Sequence, residues 1–464
     1  MTHRNERVLA AGIVLAVALV AALIFRYSRK ESDELAHQTT YVPKQTKMTP
    51  EVELLQHYIR IDTSNPPGNE LPAAQWLAQM IAATGVKPEI IESAPRRASV
   101  YARIKGKRPG QGLLLLHHID VVPAPPQQWK RPPFAAEIYL NQIYGRGAFD
   151  MKGTGICELR AFLDVAKSGR VPERDLVFLA VADEEAGSRL GMGWLVEHRP
   201  DVLDGIRYAL NEGGITEMKE ERVTYYGIEI GTKQSVSLIL RAPSRAQLQK
   251  ARIALEPWFV RREPDRIASE VKRWMHGLAP QRIDFRTALE DIDLTVAAGE
   301  FWQLPTGYRE MTQNGVWAEK PEPKGNGWEM RAYLLDLPDT DPDARIEWLR
   351  KRVASSGARI GEVVHKEGTV PMTSDQTPLF ALLTREAKRS FGNPPVGTEI
   401  LNKESNDSRF LRRRGISAYG INPFPVDFFQ SEAMHGIDER VRVDYFTQGV
   451  EFLQHIVNEY AFGQ

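Results

Sequence analysis

Leu113-Leu114-Leu115-Leu116-His117-His118-Ile119-Asp120 is an apolar run that ends in two imidazoles and a carboxylate. Four leucines without polar alternation read as a strand buried on both faces of a sheet, the habit of strands covered by helices on both sides. Leu176 to Ala182 repeats the pattern and runs into Asp183-Glu184-Glu185-Ala186-Gly187. Tyr208 to Leu210 repeats it again before Asn211-Glu212-Gly213-Gly214. Cys157 to Lys167 has helical spacing between the first two runs. This alternation predicts an α/β sheet whose functional residues cluster at the carboxyl ends of its strands.

Outward from this centre, Val52, Leu54, Leu55, Tyr58 and Ile59 fall at helical spacing, a loop follows at Ser64-Asn65-Pro66-Pro67-Gly68-Asn69, and a second helix runs from Ala73 to Thr84. From about Thr232 the texture changes. Strands are predicted at Ser235 to Arg241, Trp328 to Leu335 and Ala358 to His365, with helices at Arg245 to Glu256 and Asp343 to Ser355. These form a smaller α+β unit, inside which residues 260–315, rich in Trp, Arg and Pro, receive no assignment. After Gly368 the first texture returns with a helix from Pro378 to Arg389, a strand at Ala418 to Ile421 and a helix from Tyr445 to Tyr460. The expectation is a mixed-sheet α/β domain from residues 49–231 and 368–464, interrupted by an α+β lid domain at 232–367 through which two copies could pair.

Sixty basic and sixty acidic residues cancel across the 464, so no global field would gather nucleic acid. A single cysteine, Cys157, rules out an intrachain disulfide and a cysteine-based zinc knuckle, and on a packed helix it is no nucleophile. Val8 to Phe25 is apolar throughout, with Arg4 and Arg7 before it and Arg26, Arg29 and Lys30 after. At 1.5 Å per residue such a run covers roughly 27 Å, enough for a thin hydrocarbon core. A seven-residue tail, a single-pass transmembrane helix at 8–26 and a solvated tether at 27–48 are expected, with the folded domains extracytoplasmic. A cleaved signal peptide is the competing reading, with Ala16-Val17-Ala18 as its small-residue site, but that site lies inside the apolar run.

The chemistry-bearing residues follow strand-like runs. His118 and Asp120, at i and i+2, share one side of extended chain. Gly145-Arg146-Gly147-Ala148-Phe149-Asp150-Met151-Lys152-Gly153 bends the backbone around one carboxylate, and His435-Gly436-Ile437-Asp438-Glu439-Arg440 lies late in the chain. Taken singly, each has a bland reading as a core histidine, a turn or an acidic surface. Their order resembles the M20 metallopeptidases, a family of aminoacylases, carboxypeptidases and deacylases acting on amides of amino acids. By that resemblance His118 and Glu212 hold one metal, Glu185 and His435 another, and Asp150 bridges them. Glu184 is then the general base and Asp120 orients His118. Asp150-Met151 matches the place where this family keeps a non-proline cis peptide.

Physical chemistry supports such a reading independently. Three ligand carboxylates, Asp150, Glu185 and Glu212, lose several kcal/mol of solvation each, of order, if they converge in a dry cleft. Two divalent cations supply the compensating charge, and imidazole and carboxylate donors without thiolate suit Zn2+, with Co2+ or Mn2+ as substitutes. Two such ions activate a water and polarise an amide carbonyl, while Glu184 takes the proton. No His-Glu-x-x-His, Gly-x-Ser-x-Gly or phosphate-binding Gly-Lys-Ser/Thr pattern offers another mechanism. The predicted activity is hydrolysis of an amide bond in a small peptide or N-acyl amino acid. The alternative is a membrane-tethered, catalytically weak binding or scaffold protein that keeps the metals for folding.

The inserted segment departs from the family pattern. A Gly-x-x-x-His turn that relatives use to steady the oxyanion is here Arg241-Ala242-Pro243-Ser244-Arg245, and the arginine of an Asp-x-Arg that holds a substrate carboxylate is replaced by Leu335. His276 and Arg245 are the candidates to substitute for the first, and Arg409, in Asn406-Asp407-Ser408-Arg409, for contact with substrate.

Overall fold

The leucine run lies inside a nine-stranded mixed sheet of a computed structural model that describes residues 47–214, 216–219, 221–255, 264–401, 405–427, 430–431 and 433–463. The expected anchor, Val8 to Phe25, lies outside the described residues. Among the described residues no helix is long and apolar enough to cross a membrane.

Three neighbouring strands set the geometry. Arg174–Val181, Arg108–His118 and Ile206–Asn211 lie side by side and parallel, with His118 level with Val181 and Leu115 level with Leu210. Parallel neighbours about 4.8 Å apart end on the same side of the sheet, so their carboxyl ends must share one edge. Ser417–Gly420 continues the parallel order beside Ile206–Asn211.

Burial explains why these runs carry no polar alternation. Leu113 and Leu115 join Phe178, Ala180, Tyr208 and Leu210 in one core, together with Ile156, Leu159 and Phe162 of helix Lys152–Lys167 and Leu453 and Ile456 of helix Val443–Phe462. Leu114 and Leu116 point the other way, joining Val177, Leu179, Val181 and Ala209 against Met192, Leu195 and Leu411. Both faces are dry, as side chains of period two demand when helices cover each side. Cys157 is free and fully buried on its helix.

Antiparallel strands Glu89–Ala94 and Arg97–Ile104 extend one side of this sheet, and Arg222–Thr232 and Val396–Leu401 the other. None of these four was assigned from sequence. A second sheet orders Gly315–Ala318, Gly327–Asp336, Gln234–Ala242 and Arg359–Lys366 antiparallel, with Glu322–Lys324 beside Gly327–Asp336. Helices Arg245–Ala254 and Pro342–Val353 cover one face, burying Leu248, Ala251, Ile346 and Leu349 against Leu238, Leu240, Ala332 and Leu334. Ser244 and Gln247 close the first of these helices with reciprocal capping bonds.

Part of the segment left unassigned resolves into short helices, Ser269–Leu278, Arg286–Glu290, Ile292–Ala297 and Thr306–Glu310. Trp274, Met275, Leu278, Phe301 and Tyr308 pack there against Tyr225 and Ile400 of the main sheet. The three helices of five or six residues show too few turns for a periodic pattern, whereas Ser269–Leu278 carries one, with Val271, Trp274, Met275 and Leu278 buried.

Candidate active site

His118 sits where its strand ends, 2% exposed, with its main-chain N–H on Met151 Sδ at 3.4 Å. Its Nδ1 is 2.8 Å from the main-chain carbonyl of Asp120, so Nε2 is the nitrogen left facing the cleft. Nε2 lies 3.0 Å from Asp150 Oδ1 and 3.7 Å from Glu212 Oε2. On the other side of Asp150, His435 Nε2 lies 2.8 Å from Oδ2 and 3.3 Å from Glu185 Oε2. Asp150 therefore stands between two imidazoles, and each imidazole meets one further glutamate. The Asp150-Met151 peptide is cis.

The sequence reading gave Asp120 the task of orienting His118. The carbonyl does so; the carboxylate, 3.7 Å from Nδ1, is engaged elsewhere. It accepts from the main-chain N–H of Glu184 at 3.0 Å, that of Glu185 at 3.2 Å and Asn65 Nδ2 at 2.8 Å. Two N–H groups in succession fix the short turn that presents Glu184 and Glu185. Asp183, just before them, adopts φ +67°, a left-handed conformation that a non-glycine residue holds only under external constraint. That constraint is visible: its carboxylate takes bonds from Arg97 at 2.8 Å, Asn65 at 3.1 Å and the N–H of Leu190 at 2.8 Å. Arg97 in turn makes a two-point pair with the fully buried Glu70, both distances 2.8 Å.

Ligand-type atoms of His118, Asp150 and Glu185 all lie within 4.8 Å of one another, as do those of His118, Glu184 and Glu212. The charge balance there is poor. Burial pushes the Glu212 carboxyl up to about 7 despite His118 beside it. Burial and the charge of Glu212 hold Glu184 well above the carboxylate range. Hydrogen bonds with Asp150 and Glu185 push His435 up to about 11. Among the described residues, Glu185 Oε1 is buried without a hydrogen-bond partner. Four carboxylates competing for two imidazoles, with a buried oxygen orphaned, is the donor set of a divalent-cation site.

Of the other predicted residues, Arg409 is near the cluster and two are not joined to it. Arg409 Nε is 3.1 Å from Glu367 and NH2 is 3.1 Å from Ser188 Oγ, which itself donates to Asp407 at 2.5 Å. Arg245 lies exposed, 6.0 Å over the Trp328 ring, and exposed His276 puts Nδ1 3.0 Å from the Glu290 carbonyl. Neither shares a hydrogen bond or ion pair with the carboxylates. The sequence pattern assigns no role to Asn65, Arg97, Asp183 and Glu439, which brace the turns around the site.

Acids and imidazoles gathered at the carboxyl ends of parallel strands define a metallohydrolase type of site. Residues 114–459 match Peptidase family M20/M25/M40, and the chain belongs to that family, as a hydrolase of amide or peptide bonds. Aminoacylase-1 of Sus scrofa is 26% identical over 424 residues, 89% of this chain and 95% of that protein. N-fatty-acyl-amino acid synthase/hydrolase PM20D1 of Xenopus tropicalis is 30% identical over 372 residues, 74% of this chain and 71% of that protein. Among solved structures, the M20 family metallo-carboxypeptidase Sso-CP2 of Sulfolobus solfataricus is similar with a TM-score of 0.68 at 18% identity, over 89% of this chain and 99% of that one.

Arg97 is the cation on which two buried acids depend. Arg97→Met should cost about 3–5 kcal/mol, because Glu70 and Asp183 lose their shared partner. Urea unfolding of the two proteins measures it, and a loss below about 1 kcal/mol, the level of an exposed pair, would show that the network is not needed.

Proposed function

We propose that this chain hydrolyses the amide bond of a small peptide or N-acyl amino acid at a two-metal site. His118 and Glu212 would hold one ion, Glu185 and His435 the other, and Asp150 would bridge them. The observation that carries the reading is Asp150 standing between two imidazoles, 3.0 Å from one and 2.8 Å from the other, with a glutamate beyond each. Zinc suits these donors best, with cobalt or manganese able to replace it. When bound, the ions supply positive charge to an attacking water and to the substrate carbonyl.

The chain's own residues divide the remaining work. Glu184, ionised once positive charge is added to the site, would take a proton from the attacking water and return it to the leaving amine. Asp120 keeps Glu184 and Glu185 in register through their N–H groups. The names of the relatives, an aminoacylase and an N-fatty-acyl-amino acid hydrolase, support an acylated amino acid as substrate. Val8 to Phe25 would tether the enzyme to a membrane with its folded part on the extracytoplasmic side.

Three outcomes are expected. Glu184→Ala should keep the bound metal and lose about 10²–10⁴ in turnover, whereas Asp150→Ala should lose metal, both followed by metal analysis beside kinetics on N-acyl amino acids and dipeptides. Purified enzyme free of zinc, cobalt and manganese that still turns substrate over refutes the scheme. Arg409 is already paired with Glu367, so amidated or esterified substrates should compete well with free acids. A preference for the free carboxylate on the order of a hundredfold, as a charge-assisted pair gives, would mean another cation anchors it, with Arg331 on strand Gly327–Asp336 the first to mutate. Carbonate extraction should leave the full-length chain with the membrane, and a soluble form whose N-terminus lies beyond Phe25 sinks the tether.

A further inference from the structure

Glu439 is fully buried, and its side chain belongs to none of the ligand groups. Its Oε1 accepts the main-chain N–H of Phe149 at 2.8 Å and that of Asp150 at 3.1 Å. Oε2 accepts the N–H of Gly147 at 3.1 Å and Arg146 NH1 at 2.6 Å. One carboxylate thus collects three amides of the four-residue stretch that ends on Asp150. Gly147 makes this geometry reachable, holding φ +85° with Val121 and Lys152 side chains against the place where a Cβ would stand.

The same residue lies four positions after His435. Arg146 NH2 donates to the Gly436 carbonyl at 2.8 Å, and Gly145 N–H donates to the Glu439 carbonyl at 2.9 Å. The two loops are nearly 290 residues apart in sequence, yet this patch ties each to the other within a few ångströms of the His435–Asp150 contact. His435 needs such a tie, since its side chain is 39% exposed and its φ is +57°.

We propose that Glu439 is a positioning residue that sets metal affinity, by fixing the Asp150 loop and the His435 loop in one register. The proposal rests on the two-metal reading above. A carboxylate shared among amides and a guanidinium is rigid, so both oxygens of Asp150 are aimed before any ion arrives. Without it, Asp150 and His435 move independently, and the ion between them loses its preformed donors. Partners of metal ligands typically change affinity by about 10–100-fold when removed.

The test uses the full-length chain, stripped by a chelator and titrated with Zn2+ against a chromophoric competitor. Wild type should bind two zinc ions. Glu439→Gln, which keeps shape but not charge, should weaken at least one site by about 10–100-fold while circular dichroism stays native. A residue that merely holds the fold together would lower the melting temperature of metal-free protein and leave both binding constants of the folded protein alone, and that result overturns the proposal. Should Glu439→Gln fail to fold, Glu439→Asp, which keeps the charge but draws it back from the amides, is read the same way. Unchanged zinc affinities in that folded variant overturn the proposal too. Wild type that binds no zinc defeats the two-metal reading itself.

Discussion

Carboxylates crowded at the carboxyl ends of the parallel strands repel one another and lose their water, and the rest of the site is arranged around that constraint. Two groups of acids meet it differently. Asp120, Asp183 and Glu439 are satisfied by the chain itself, through main-chain N–H groups and the guanidinium groups of Arg97 and Arg146. Among the described residues, Asp150, Glu185 and Glu212 share His118 and His435 as their positive partners, and one oxygen of Glu185 finds no hydrogen bond. The first group is complete as it stands and does the holding. The second calls for added positive charge, as the proposed ligand set would.

Chain topology allows the insertion to leave this arrangement intact. The second sheet begins at Gln234, directly after main-sheet strand Arg222–Thr232, and the chain returns where Thr373 N–H meets the Ile230 carbonyl at 2.8 Å. Departure and return are neighbours, so the excursion costs the main sheet little loop-closure entropy. Glu367 marks the junction: its carboxylate accepts the Ser235 N–H at 2.9 Å and meets Arg409 at 3.1 Å. Through Ser188, Arg409 reaches the segment that follows Glu184 and Glu185. The inserted unit is thereby linked to the Glu184-Glu185 turn by a buried ion pair rather than by a flexible tether alone.

Legibility in the sequence followed the same division. Long elements with one strong pattern were readable: helix Pro50–Arg60 and helix Val443–Phe462 lie within a few residues of where periodicity puts them, while the leucine run marks the buried second half of strand Arg108–His118. Acids after apolar runs were readable because a parallel strand buried on both faces delivers its next residues to one edge. Glu439 and Asn65 left no such trace. A side chain whose partners are backbone amides nearly 290 residues away has a signature only once the loops have met. Asp120 was half legible, since spacing placed it beside His118 but could not tell its carbonyl from its carboxylate. Arg97–Ile104, with its polar and apolar residues mixed, gave no clean period, although it carries the arginine that balances Glu70 and Asp183.

Glu184 bears on whether the site is built for turnover or only for holding ions. Its carboxyl sits within 4.8 Å of donor atoms of both His118 and Glu212, and the charge of Glu212 raises its proton affinity. A purely structural site would be better without it, because one more acid adds repulsion and desolvation while the ligands already suffice. The chain nevertheless spends an Asp120 hydrogen bond on the Glu184 N–H and holds Asp183 in a left-handed conformation to turn the segment inward. A strained Asp183 and a repelled Glu184 side by side fit the proposed role of Glu184 as acceptor of a proton bound for the departing amine.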